Sequence, residues 1–73
     1  MTTASPASLV AAVGETAGVV WSVLSENGPM TMAQLVKAVG EPRDTVMQAI
    51  GWLAREDKIS IVEENRSRVV SLH

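Results

Sequence analysis

The side chains able to do chemistry in this chain are few, and most of them are arginines. Arg43, Gln48, Arg55, Arg66 and Arg68 are the candidates for contact with nucleic acid. Arg and Gln can address base edges in paired hydrogen bonds in a major groove, and arginines on a hairpin can reach phosphates or a minor groove. The competing account of the same residues is a solvated polar surface with local ion pairs. Local charge tempers the first account. Between Pro42 and Lys58, Arg43, Arg55 and Lys58 are matched by Asp44, Glu56 and Asp57, and further on Arg66 and Arg68 are matched by Glu63 and Glu64. Overall, six Lys and Arg stand against eight Asp and Glu, a formal net charge of -2. A protein that neutralises roughly six to ten phosphates draws much of its affinity from released counterions, so tight binding by a single copy is not expected.

Other chemistry is poorly provided for. There is no cysteine, and the one histidine is the terminal His73, so neither a disulfide framework nor a zinc site of the usual ligands is expected. Carboxylates at Glu15, Glu26, Glu41 and Glu56 are scattered, and Ser and Thr residues lack a plausible base. No nucleophile and base pair, no metal cluster and no phosphate-cradling glycine loop emerges. The expectation is a protein that is not an enzyme and needs no cofactor or metal. Trp21 and Trp52 are the only aromatics. Trp21 falls in an apolar helical stripe and is predicted to be core, whereas Trp52 lies between faces, placed to pack under a hairpin or be shared with a partner. Met30, Met32 and Met47 read as gap-fillers, a type that also suits adaptable interfaces.

The elements that must hold these residues follow from periodicity and punctuation. Residues 1–8 read as a flexible leader and 9–73 as one domain, although Ser5-Pro6 could cap and open a helix earlier. Gly14 interrupts that earlier pattern, and the surer first helix spans Glu15 to Glu26, with Ala17, Val20, Trp21 and Leu24 at i, i+3, i+4 and i+7. Asn27-Gly28-Pro29 stops it. After Met30 as a short extended piece, Thr31 and Gln34 form a capping box that opens a two-turn helix ending at Gly40. Leu35, Val36 and Val39 supply its apolar face. Pro42 begins a third helix reaching Glu56, whose Val46, Ala49, Ile50 and Leu53 repeat with the same spacing. Its opposite face carries Asp44, Gln48, Gly51 and Arg55, flanked by Met47 and Trp52. Ile59 to Val62 and Arg68 to Leu72 are rich in β-branched residues and bracket a polar tip near Asn65, the pattern of an antiparallel hairpin. The predicted core joins Val20, Leu24, Leu35, Val39, Val46, Ile50, Leu53 and Ile61.

That order, mainly α with a small β element, is the layout of a winged helix-turn-helix: three helices and a C-terminal two-stranded wing, the third helix in the reading position. The stretches Ala17-Gly18-Val19-Val20-Trp21, Asn27-Gly28-Pro29 and Ala49-Ile50-Gly51-Trp52-Leu53-Ala54-Arg55-Glu56-Asp57-Lys58-Ile59 resemble a family of small prokaryotic winged helix-turn-helix proteins of unassigned function. The resemblance runs from about Val13 to Leu72, and it implies the winged-helix fold and, for some relatives, a homodimer.

Size gives the dimer a separate physical motive. A chain of 73 residues buries only about 60% of the surface it exposes when unfolded, and Leu9, Val10 and Val13 exceed the needs of a three-helix core. These three and Trp52 are the expected dimer interface. Two functional readings stay open: a DNA-binding module of transcription-regulator type, and a protein-interaction module on the same scaffold without DNA binding. Arginines lining one face unopposed by carboxylates would favour the first, and arginines each paired with a neighbour the second. The apolar run from Ala7 to Leu24 is expected to be neither a signal peptide nor a membrane span, because no Lys or Arg precedes it and Glu15 sits within it. A complete, cytoplasmic chain is the expectation.

Overall fold

Two glycines inside the first helical pattern each cost about 1 kcal/mol relative to alanine, yet the helix runs unbroken through both. The computed structural model describes residues 6–73, with side chains from Leu9 onward, and α1 spans Pro6–Asn27. The helix is therefore already formed at Pro6, well before Glu15, and Gly14 does not interrupt it. Tertiary packing offsets the glycines: Thr16, Ala17, Val20 and Leu24 form a buried stripe held down by the other elements. The first five residues of the expected leader lie outside the described residues. Gly28 ends α1 in the left-handed conformation, at φ 76°, and its amide donates to the Leu24 carbonyl.

Met30–Thr31 form β1, and α2 follows over Met32–Val39. The capping box is present in full: the Gln34 amide donates to Thr31 Oγ1 at 3.1 Å, and the Thr31 amide donates to Gln34 Oε1 at 3.0 Å. Gly40, again left-handed, closes the helix. Helix α3 spans Arg43–Arg55 and buries Val46, Ala49, Ile50 and Leu53. Its end is tied by amides of Asp57 and Lys58 donating to the carbonyls of Ala54 and Leu53, with Asp57 at φ 60° where glycine is usual.

Strands β2 (Ile59–Glu64) and β3 (Ser67–Leu72) make the hairpin, joined by Asn65 and Arg66, both left-handed at φ 47° and 68°. Two such residues form the tight turn that matches the twist of paired strands. The sheet has three strands in the order β1-β3-β2, not the two expected, because Met30 and Thr31 pair antiparallel with Val70 and Val69. This makes β3 central and leaves β2 at an edge.

The edge position explains a correction in the core. Ile61 pairs with Val70 and shares its inner face, but α1 and α2 pack chiefly beneath β3, so Val70 is fully buried and Ile61 is 42% exposed. Ile59, at the start of β2 over α3, is the buried residue of that strand. Val39 is only partly buried against the core. Trp21 also departs from expectation, at 45% exposed, because the buried sector of α1 centres on Val20 and Leu24 and Trp21 falls at its margin. The stretch Leu9–Asn27 is long and apolar enough to cross a membrane by length and composition alone; here its buried stripe is occupied by the domain's own core.

Candidate nucleic-acid interface

Helical phase divides α3 into three sectors. With Val46, Ala49, Ile50 and Leu53 inward, Asp44, Gln48, Gly51 and Arg55 point outward, Arg43 and Met47 occupy one shoulder, and Thr45 and Trp52 the other. Asp44, Gln48 and Arg55 are exposed accordingly. On the hairpin, register places Arg68 opposite Glu63 and in line with Val70, on the inner face but beyond the cover of the helices. The turn then carries Arg66 to the tip.

These placements converge. A groove of about 270 Å³ opens between the start of α2, the first turn of α3 and the hairpin, with Arg43, Arg66 and Arg68 on its walls beside Thr31, Met47 and Ser67. No carboxylate lines it. Among the described residues, the one approach of a basic to an acidic side chain within 4 Å is that of His73 to Asp57, at 3.6 Å and outside this groove. The arginines of the groove are therefore not neutralised by ion pairs, although Glu63 faces Arg68 across the ladder. Asp44 is turned to its own helix start, where Oδ1 accepts from the Thr45 amide at 3.1 Å. Helix α3 has no side-chain cap at Pro42, and the Asp44 carboxylate in its first turn complements the positive end of the helix.

Of the five sequence candidates, the groove unites Arg43, Arg66 and Arg68. Gln48 stands next to Met47 on the outward face, and Arg55 lies roughly 18 Å along the axis from Arg43, outside the groove. Thr31, Met47 and Ser67 were not singled out for contact; Met47 carried a signal, as the fourth residue after Arg43 on the same shoulder. Leu9, Val10 and Trp52, expected at a dimer interface, are all exposed, and Val13 is half-buried.

Comparison with known proteins agrees with this architecture. An uncharacterised protein of Methanocaldococcus jannaschii, MJ1608, is 40% identical over 63 residues, covering 82% of this chain and 89% of its own. The solution NMR structure of protein BT2368 from Bacteroides thetaiotaomicron superposes with a TM-score of 0.75 at 33% identity, over 84% of this chain and 74% of that one. The model of the winged helix-turn-helix domain DUF2582 matches residues 5–72. With nearly the whole chain matched, the protein belongs to the DUF2582 winged helix-turn-helix family.

Proposed function

We propose that the protein binds duplex DNA without catalysing a reaction on it, as a transcription-regulator-like module. The observation that carries the reading is the convergence of Arg43, Arg66 and Arg68, from a helix and a hairpin, on one groove that no carboxylate lines. In this reading the outward face of α3 enters the major groove, where Gln48 reads a base edge and Arg55 lies further along the helix. The hairpin arginines and the first turn of α3 hold backbone phosphates on either side. The net charge of -2 keeps non-specific affinity weak, with a Kd of about 10⁻⁴ M at physiological salt.

The test is a fluorescence-anisotropy titration with random duplex DNA, begun at about 20 mM salt, where attraction is least screened. Arg43→Ala and Arg68→Ala should each weaken all sequences alike and flatten the slope of log K against log salt by about 0.9. Absence of binding at the lowest salt would overturn the DNA reading and leave the protein-interaction alternative, which the half-exposed Trp21 and Trp52 would then support.

A further inference from the structure

Away from the arginine groove, both tryptophans are left half outside the domain, Trp21 at 45% and Trp52 at 49% exposure. The fold brings them together. Trp21 on α1 and Trp52 near the end of α3 wall a second groove, of about 320 Å³, with Gly14, Ala17 and Gly18 as its floor and Lys58 at its rim. Gly14, Ala17, Gly18 and Trp21 fall at i, i+3, i+4 and i+7, so helical phase puts all four on one side of α1. Nothing lies within 4 Å of where a Cβ would stand on Gly14 or Gly18, which leaves the floor clear. Lys58 is exposed, and its backbone is fixed from both sides: its amide donates to the Leu53 carbonyl, and its carbonyl accepts from the His73 amide at 2.9 Å. Among the described residues no carboxylate stands within 4 Å of its ammonium, and the neighbouring Asp57 is turned to His73. The polar side-chain groups that line the groove, two indole N–H and one ammonium, are all donors.

We propose that this groove binds a small planar aromatic carboxylate, its rings against Trp21 and Trp52 and its carboxylate at Lys58. The lining sets the chemical class. Indole rings favour a flat π-system in offset or edge-on contact. A lining of donors alone calls for an acceptor, and the ammonium calls for one that is negatively charged. Size sets the scale. Ligand pockets run from about 300 to about 1,000 Å³, so a groove of about 320 Å³ suits a fused pair of rings and is too small for a helix of a partner protein. Trp52 is near the end of α3 and Arg43 begins it, so the ligand does not contend with a duplex for the arginine groove. The proposal therefore stands independently of the DNA reading.

The test is an NMR titration of the isotope-labelled full chain with 2-naphthoate, at about 20 mM salt. Roughly thirteen non-hydrogen atoms, at the efficiency usual for small ligands, give an expected Kd of about 1 mM. The Nε1–H resonances of Trp21 and Trp52 should move along one saturating curve while the backbone amides of Arg43, Arg66 and Arg68 stay in place. The uncharged 2-naphthylmethanol should bind about threefold more weakly, and Lys58→Met, at an exposed site, should bring the two compounds to equal affinity. Gly18→Leu fills the open floor and should raise the Kd at least about tenfold with the wild-type circular dichroism retained. Absence of a saturable shift up to about 10 mM naphthoate, equal affinity of the wild type for acid and alcohol, or unchanged binding by folded Gly18→Leu overturns the proposal. So do shifts confined to the three arginines, which would place the anion in the other groove, and indole resonances that move on dilution of the protein alone, which would show that a second copy covers the site.

Discussion

Arg66→Gly separates what the hairpin turn needs for folding from what the groove needs for binding. Arg66 sits at φ 68° in the second position of a two-residue turn, a conformation that costs an L-residue about 1 to 2 kcal/mol and that glycine adopts freely. The greater freedom of glycine in the unfolded chain takes back about 0.5 to 1 kcal/mol, so the variant should be more stable by about 0.5 to 1 kcal/mol. Binding should move the other way. Loss of one phosphate contact flattens the log–log salt slope by about 0.9 and weakens binding about tenfold near 50 mM salt. Urea titration followed by Trp21 and Trp52 fluorescence reads the first effect, and anisotropy titration across salt reads the second. A fall in the urea midpoint would refute the left-handed turn. A raised midpoint with an unchanged salt slope would refute Arg66 as a phosphate contact, and an Arg66→Lys control should leave both nearly unchanged.

Two further substitutions probe the core and the reading face. Ile50→Ala should cost about 2 to 5 kcal/mol in a denaturant titration, a large share of the roughly 4 to 11 kcal/mol expected for a domain of this length, whereas Ile61→Ala, at a site 42% exposed, should cost no more than about 1.5 kcal/mol; equal losses would contradict β2 as an edge strand. Once a preferred duplex is found by selection from random sequence, Gln48→Ala should cost about 1 to 3 kcal/mol at one base position only, and a uniform loss across sequences would show that Gln48 touches backbone instead.

Much of the secondary structure was legible because its causes are local. The Thr31 and Gln34 capping box, the left-handed glycines after α1 and α2, and the stripe of Val46, Ala49, Ile50 and Leu53 each depend on residues a few positions apart. The same holds for the hairpin tip at Asn65. Misreadings occurred where a distant element decides the outcome. Gly14 looked like a helix break, but packing of the adjacent stripe holds α1 through it. Trp21 sits on the margin of its stripe, and only the position of α3 determines that it is left half outside.

The candidate interface divides along the same line. Sequence by itself determined which residues can carry the chemistry: few cations, no cysteine, and a helix whose outward face bears Gln48 and Arg55. It also supplied a near balance of charges in each segment, and that balance hid the groove. Charge along the chain is a one-dimensional sum, whereas the field at a surface depends on which side chains the fold brings together. Pairing of β1 with β3 draws the start of α2 under the hairpin and leaves β2 at the edge. Arg43, Arg66 and Arg68 are thereby gathered into one groove that no carboxylate lines. Residue types and helical phase are written locally; the convergence of three arginines from segments more than twenty residues apart is a product of long-range strand pairing and helix packing alone.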